Sequence, residues 1–128
     1  MRNLLRSLFV AAGLCLAVVA SFAGEVPYNK AAFDKALAAG QPVVVDFAAS
    51  WCPTCKAQKP IVQALLAEPQ RKAMTVFVAD FDTEAALKKQ LNVTMQSTLI
   101  AFKAGEEVAR STGQTGKAEL GILLDKAL

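Results

Sequence analysis

The sequence predicts an α/β fold in which a mixed sheet of four strands is covered by helices on both faces. Two apolar runs rich in β-branched residues, 43–48 and 74–81, are separated by a segment whose apolar residues have helical spacing. This β-α-β order favours parallel neighbours. Two further strand-like runs, 98–102 and 107–111, flank a turn at 103–106 and predict an antiparallel hairpin. A chain of 128 residues is long enough for one such domain.

Four helices are predicted from apolar residues at helical spacing and from residues that begin or end a helix. The first, 28–39, is followed by Gly40, a residue type common just past a helix end. The second runs from 53 to about 67, with Pro60 expected to kink it. A third covers 84–91 with Thr83 as its cap, and the last covers 117–127. The side chains expected to face the core are Phe33, Ala36, Leu37, Ile61, Leu65, Leu66, Leu120, Leu123 and Leu124.

The first 23 residues have the three parts of a secretory signal peptide. Residues 1–7 contain two arginines and no acid, residues 8–20 are apolar or small, and 21–23 fits a small-x-small cleavage site. We therefore expect cleavage after Ala23, export to the periplasm or another space outside the cytoplasm, and a mature domain of residues 24–128. The apolar run is short for a membrane span of about 20 residues. An uncleaved N-terminal membrane anchor is the alternative.

A Cys-x-x-Cys motif, Cys52-Pro53-Thr54-Cys55, lies where the first apolar strand meets the helix that follows it. The unpaired N–H groups and the positive dipole end of a helix start favour a thiolate on Cys52. Cys55 lies one turn further along the same face, so the two sulfurs can form a disulfide. Closing so short a loop removes little chain entropy, and a redox role is therefore favoured over a structural one.

The stretch 46–56, which reads Asp-Phe-Ala-Ala-Ser-Trp-Cys-Pro-Thr-Cys-Lys, resembles the active site of thioredoxin-like proteins. The resemblance extends to the element order of residues 28–128 and implies the thioredoxin-like fold. Family members often begin with an extra strand, for which residues 24–27 are barely long enough, so we expect a fifth strand to be reduced or absent. The resemblance implies dithiol–disulfide exchange on protein cysteines without a dissociable cofactor. Cys52 is then the attacking nucleophile and Cys55 the resolving thiol.

Asp46 is unusual because a carboxylate in a buried strand is costly unless it is paired or protonated. By resemblance it matches the buried acid beneath the cysteine pair, which implies a role as proton acceptor for Cys55. The alternative is an aspartate at a strand end, wetted by a bound water. Many thioredoxins carry a lysine on the neighbouring strand, and the aligned residue here is Val78. Without that positive charge, the pKa of Asp46 should rise further.

Ser97 marks the main departure from the family, because the resemblance places it where thioredoxins have a cis-proline. A cis bond before a residue other than proline costs about 2.5–4 kcal/mol, so we expect the Gln96–Ser97 bond to be trans. The Ser97 hydroxyl could stabilise a thiolate, slow release of a mixed disulfide or admit a metal; the alternative is a loop that has drifted. Trp51, Pro53, Thr54, Gln96 and Ser97 are the expected substrate contacts, with plain packing as the alternative for Trp51.

These features predict an exported thioredoxin-type protein disulfide oxidoreductase. Strongly oxidising members of the family that this chain resembles often carry a histidine between the cysteines, and its absence here implies a reductase rather than a disulfide-donating oxidase. The resemblance implies protein thiols and disulfides as substrates and a membrane-embedded electron donor, and we expect a monomer. After cleavage, 12 basic residues (14 less Arg2 and Arg6) face 11 acidic ones, a balance that gives no reason to expect nucleic acid.

A second hypothesis is a soft-metal module in which Cys52 and Cys55 bind Cu(I). Two thiolates are too few for a closed zinc site. Met74 and Met95 are candidate thioether ligands, although a core role suits Met74 better. The chain contains no histidine, which excludes haem attachment through Cys-x-x-Cys-His and any histidine-ligated metal.

Overall fold

The computed structural model describes residues 24–128, so the predicted signal peptide and its cleavage site lie outside the described residues. Within 24–128, no helix has the length and apolar character needed to cross a membrane. The strands are β1 Gly24–Pro27, β2 Val43–Ala48, β3 Thr75–Asp80, β4 Thr98–Lys103 and β5 Glu106–Thr112. The helices are α1 Lys30–Ala38, α2 Pro53–Leu66, α3 Ala85–Leu91 and α4 Lys117–Asp125, with a 3-10 turn at Pro69–Arg71.

The strands form one sheet in the order β1-β3-β2-β4-β5, which confirms the predicted mixed sheet. Strands β1 and β2 both pair with β3 in parallel, whereas β4 pairs antiparallel with β2 and β5 pairs antiparallel with β4. Strand β2 therefore has bonded neighbours on both sides and helices above and below. Its nearly continuous apolar sequence follows from this position, since neither face of such a strand meets water.

Strand β1 is the fifth strand that the sequence left open, and at four residues it is reduced, as expected, but not absent. It is short, but all four of its residues pair in parallel with residues 75–78 of β3. Four residues that end in a proline carry too little alternation to mark a strand. The pairing brings Glu25 onto the sheet and places Pro27 in the same row as Val78 and Asp46.

Helices cover both faces of the sheet, as predicted, and each pair encloses a separate core. Helices α1 and α3 cover one core, in which the Phe33 ring packs edge-on against Phe77 and Phe102 with ring centroids 5.6 Å apart in each case. Helices α2 and α4 cover the other, which includes Val62, Met74, Leu99, Leu120 and Leu124. Removing a ring as deeply buried as Phe33 costs about 3–5 kcal/mol.

The predicted cap of α3 is wrong by one residue. Glu84, not Thr83, precedes the helix, which begins at Ala85. The cause is a turn after β3, in which the N–H groups of Thr83 and Glu84 both bind the carbonyl of Asp80. Thr83 is thus used to close that turn, and the helix starts after it.

The predicted inward face of α2 is confirmed only in part. Val62 and Leu65 are buried, whereas Ile61 is only partly covered. The helix continues through Pro60 to Leu66. The buried face, extended back along the helix, includes Gln58 and Cys55, and this links the core beneath α2 to the cysteine pair.

Candidate active site

Cys52 and Cys55 form a disulfide at the point where β2 gives way to α2. Cys52 is the N-cap of α2, and its sulfur accepts the backbone N–H of Cys55 at 3.1 Å. A helix start leaves such N–H groups without partners, so a sulfur at this position satisfies one of them. Both cysteines are nearly covered, with 1% and 8% of their surface exposed. Position at the helix start, rather than exposure, is therefore what distinguishes Cys52 from Cys55.

Ser97 lies against both sulfurs from the loop before β4. Its hydroxyl oxygen is 3.2 Å from Sγ of Cys52 and 3.4 Å from Sγ of Cys55. Among residues 24–128 no peptide bond is cis, so the Gln96–Ser97 bond is trans as predicted. The predicted approach of the Ser97 hydroxyl to the cysteines is also confirmed. Ser97 has φ 61°, in the left-handed region that few residues other than glycine adopt.

The Ser97 backbone is held on both sides. Its N–H, a group that proline lacks, donates to the carbonyl of Phe47 on β2 at 2.8 Å. Its carbonyl accepts from the Gly113 N–H at 3.0 Å and from the Gln58 side chain at 3.3 Å. The same Gln58 nitrogen also donates to the carbonyl of Gln114 at 2.8 Å.

Gln58 is a site residue that the sequence reasoning missed. It is fully buried, and its amide joins the loop that carries Ser97 to the segment between β5 and α4. A signal did exist, because Gln58 lies three residues after Cys55 on the inward face of a helix. A glutamine at such a position requires internal hydrogen-bond partners.

Asp46 lies in the middle of the sheet with 6% of its surface exposed, and its Oδ1 has no hydrogen-bond partner among the described residues. Burial raises the pKa of its carboxyl to about 7, and the charge of Glu25 adds to the effect. Val78 lies directly beside it on β3, as the family resemblance implied. No lysine therefore offsets the cost of ionising this carboxyl from that neighbouring position.

A pocket of about 560 Å³ connects the two functional groups, since both Asp46 and Cys55 line it. Its floor includes Pro27, Val78 and Asp46, a row that crosses three strands. The remaining charged residues that line it are Glu25, Lys56, Lys59 and Asp80. A pocket lined by both Asp46 and Cys55 has room for water, and one water is enough to relay a proton between two such groups.

Of the other predicted contact residues, Trp51, Pro53 and Thr54 adjoin the cysteines in sequence, and Gln96 precedes Ser97. Trp51 is 55% exposed, and its indole N–H donates to Asp82 at 2.8 Å, which favours an accessible contact residue over plain packing. Pro53 is exposed, while Thr54 and Gln96 are half-buried. Asp82, the partner of Trp51, was not predicted.

The Cu(I) hypothesis rests on Cys52 and Cys55, with Met74 and Met95 as candidate thioether ligands. Residues 24–128 contain no group of three or more His, Cys, Asp or Glu side chains able to hold a metal. Met74 is fully buried in the core beneath α2 and α4, in agreement with the packing role predicted for it. Met95 is 53% exposed.

Comparison with known proteins identifies the family. A family model described as Thioredoxin matches residues 25–126, from strand β1 to the end of α4. The chain belongs to the thioredoxin family. With its disulfide-forming Cys52–Cys55 pair, it is a thioredoxin-type thiol–disulfide oxidoreductase that acts on protein thiols and disulfides.

Individual relatives agree with this assignment. The chain is 39% identical over 84 residues to a thioredoxin of Chlamydia trachomatis, covering 66% of this chain and 80% of that protein. It is 38% identical over 88 residues to the bifunctional thioredoxin reductase/thioredoxin of Mycobacterium leprae, covering 69% of this chain but only 19% of that protein. The crystal structure of Trxlp from Edwardsiella tarda is 44% identical, with a TM-score of 0.77, and the match covers 79% of this chain and 98% of that one.

Proposed function

We propose that this thioredoxin-family protein is an exported, monomeric reductase of protein disulfides. The observation that carries the proposal is the set of groups that contact the sulfurs. Within the described residues, the hydrogen-bond donors to them are the Cys55 N–H and the Ser97 hydroxyl, both of which are neutral. A strong oxidant requires a strongly stabilised thiolate. Neutral donors give a weaker preference for the thiolate than a cationic side chain would, and this favours the reducing direction.

The reaction runs in two exchanges. The Cys52 thiolate attacks one sulfur of the substrate disulfide, whose S–S bond breaks as a mixed disulfide forms and the first substrate thiolate leaves. Cys55 then loses its proton through the pocket, with Asp46 as acceptor. The Cys55 thiolate attacks the Cys52 sulfur and releases the second substrate thiolate. The substrate has gained two electrons, and the protein is left with the Cys52–Cys55 disulfide.

Export and a membrane-embedded electron donor complete the proposal. The basic, apolar and small-residue segments of residues 1–23 support export with cleavage after Ala23. A reductase outside the cytoplasm meets an oxidising environment and has to be re-reduced after each turnover. Electrons from inside the cell have to cross the membrane to reach it, and a membrane-embedded thiol–disulfide carrier supplies that route.

The reduction potential of the Cys52–Cys55 pair tests the direction. Equilibration against dithiothreitol or glutathione should give a reduction potential of about −270 mV, the reference value for thioredoxin itself. A value near about −120 mV, that of a strong oxidant, would contradict the reductase and make the protein a disulfide donor. Two controls identify the working pair: Cys52→Ser should show no turnover, while Cys55→Ser should accumulate a mixed disulfide with the substrate. The intact mass of the exported protein tests cleavage after Ala23.

A further inference from the structure

Among residues 24–128, one hydroxyl, that of Ser97, lies within hydrogen-bond distance of both redox sulfurs, and the mechanism above does not use it. We propose that Ser97 is a catalytic residue whose O–H stabilises the Cys52 thiolate during attack and the Cys55 thiolate during resolution. Gln58 is the positioning residue that holds Ser97 in place. This proposal concerns the exchange chemistry and applies whether the protein works as a reductase or as an oxidase.

The geometry makes Ser97 a shared donor. In the disulfide neither sulfur carries a proton, so the serine hydroxyl is the only possible donor in both contacts, at 3.2 Å to Cys52 and 3.4 Å to Cys55. A hydroxyl has one proton and donates to one sulfur at a time. Because the two distances differ by only 0.2 Å, rotation of the O–H bond moves the donation from one sulfur to the other without moving the backbone.

The contact is worth more to a thiolate than to a thiol or a disulfide. Hydrogen bonds to an ionised acceptor are roughly twice as strong as those between neutral groups. The Ser97 hydroxyl therefore favours the ionised form of the sulfur it faces, and lowers the pKa of that thiol. The surroundings are nearly closed to water, with Ser97 at 3% exposed, which strengthens the effect.

The backbone of Ser97 is fixed in a conformation that aims the hydroxyl at the sulfurs. A residue at φ 61° is strained and persists only where the surrounding contacts hold it. Here those contacts come from three elements: β2 through Phe47, α2 through Gln58, and the segment after β5 through Gly113. The Gln58 bond connects Ser97 to the same helix that carries Cys55, so the donor and the resolving sulfur are held together.

The charged groups around the cysteines lie on the opposite side of the pair from Ser97. Asp46 from β2, Glu25 from β1, Asp80 from β3, and Lys56 and Lys59 from α2 line the pocket with Cys55. Asp82 binds the Trp51 indole. The loop of residues 92–97, which approaches from the other side, contains no charged residue. A change at Ser97 therefore alters the hydrogen bonding of the sulfurs without removing a charge.

The Ser97 hydroxyl keeps its proton through both exchanges. As Cys52 attacks, the thiolate charge passes to the leaving sulfur of the substrate, and the hydroxyl loses its charged acceptor. When Cys55 gives up its proton, a new thiolate forms within reach of the same hydroxyl. After Cys55 attacks, the charge leaves on the second substrate sulfur and the Ser97 contacts return to those of the disulfide.

Ser97→Gly is the cleanest test, because glycine adopts positive φ without strain and removes only the side chain. We expect the pKa of Cys52 in the reduced protein to rise by about one unit, which follows from a hydrogen bond to a charged group. The measurement is the pH midpoint of alkylation by iodoacetamide, and Ser97→Ala should give the same shift. Midpoints of both variants within about 0.2 units of the wild type, well below the effect of such a bond, would overturn the proposal.

Ser111→Ala is the matched control. Ser111 also carries a buried hydroxyl on this sheet, and its Oγ has no hydrogen-bond partner among the described residues. Its removal should leave the Cys52 midpoint unchanged. A shift in Ser111→Ala equal to that in Ser97→Ala would show a general effect of hydroxyl loss and would contradict the proposal.

The shared role is tested by watching both exchanges in one experiment. Reduced protein reacts with an aromatic disulfide, which releases one coloured thiolate on attack and a second on resolution. At a pH below the pKa of the cysteines, a rise of one unit in that pKa lowers the thiolate fraction about tenfold. The remaining thiolate is more nucleophilic, which restores the exchange rate about threefold. Both phases should thus slow about threefold in Ser97→Gly. Slowing of only one phase would overturn the shared role.

Gln58→Leu tests the positioning residue. It keeps the Ser97 hydroxyl but removes the amide that binds the Ser97 carbonyl, so the Cys52 midpoint should rise by less than in Ser97→Gly. In the double variant with Ser97→Gly, the Gln58 substitution should add no further shift, because its effect depends on the hydroxyl. An added shift would show that Gln58 acts on the cysteines by another route and would contradict its assignment.

Discussion

The two sides of the Cys52–Cys55 disulfide differ in the groups that surround the sulfurs. Towards β1 and β3 there is an open pocket of about 560 Å³ with a buried carboxyl, Asp46, whose Oδ1 has no partner among the described residues. Towards β4 lies the loop of residues 92–97, which contains no charged residue, and Ser97 in this loop is held by hydrogen bonds at its N–H, its carbonyl and its hydroxyl. The open side is suited to moving a proton, while the closed side is suited to holding a negative charge in place.

The comparison shows that each side loses stability in a different way. On the open side, a carboxyl with a pKa near 7 resists ionisation in the folded protein, so its cost depends on pH. On the closed side, the positive φ of Ser97 costs about 1–3 kcal/mol whatever the pH. Costs of this kind are common where function, rather than stability, sets the residue.

The largest expected effect concerns the open side and is a loss of stability with rising pH. The folded protein keeps the proton of Asp46 up to about pH 7, whereas the unfolded chain releases it near the ordinary value of 3.8. Between these values the unfolded state binds fewer protons, so stability falls as pH rises and levels off above pH 7. From pH 5 to pH 8 we expect a loss of about 3 kcal/mol, which Asp46→Asn should abolish.

Urea unfolding of the oxidised wild type and of Asp46→Asn across this range measures the difference. Glu106→Gln, the same type of change at an exposed site, is the control and should leave the slope unchanged. Parallel stability curves for the wild type and Asp46→Asn would show that Asp46 is already ionised in the folded protein. The contrast between the two sides would then be lost.

The site residues that the sequence could predict are those whose surroundings follow from their immediate neighbours in the chain. Cys52 and Cys55 are three residues apart at a strand–helix junction, and Asp46 interrupts an apolar run, so their types and positions alone indicate their surroundings. Ser97 was placed near the cysteines only through the family resemblance, because 42 residues separate it from Cys55. Nothing in its local sequence points to the sulfurs.

The parts that could not be predicted depend on contacts between distant segments. Strand β1 exists because residues 24–27 pair with β3, and that pairing places Glu25 near Asp46. Gln58 was passed over because a polar residue on a helix is usually exposed, and its partners lie 39 and 56 residues away. Thr83 satisfied the preference for a cap, but the turn at Asp80 delayed the helix by one residue.

The next largest effect separates the two sides by reaction step. Asp46→Ala removes the proton acceptor for Cys55 and should slow resolution by about 10²-fold, at the lower end of general acid–base effects. Attack by Cys52 should change little, in contrast to Ser97→Gly, which should slow both steps. The two phases of aromatic disulfide reduction between pH 6 and pH 9 measure this. Equal resolution rates for wild type and Asp46→Ala over that range would remove Asp46 from the mechanism.

The smallest effect tests how the edge strand contributes to the open side. Burial is the main cause of the raised pKa of Asp46, and the negative charge of Glu25 is the second. Glu25→Gln should therefore lower the pKa of Asp46, but by less than burial raises it, and the stability loss should level off at a correspondingly lower pH. The same urea titrations measure the shift.

Gln63→Ala supplies the control for Glu25, because it removes the side chain that donates to the Glu25 carboxylate at 2.9 Å but leaves the charge in place. It should not lower the pKa of Asp46. If Glu25→Gln and Gln63→Ala act alike, the charge of Glu25 is not the cause, and β1 influences Asp46 only by covering it. If Glu25→Gln lowers the pKa of Asp46 and Gln63→Ala does not, the charge of Glu25 on the short edge strand sets part of that pKa. The pH midpoint of Cys52 alkylation, which depends on Ser97 on the closed side, should stay the same.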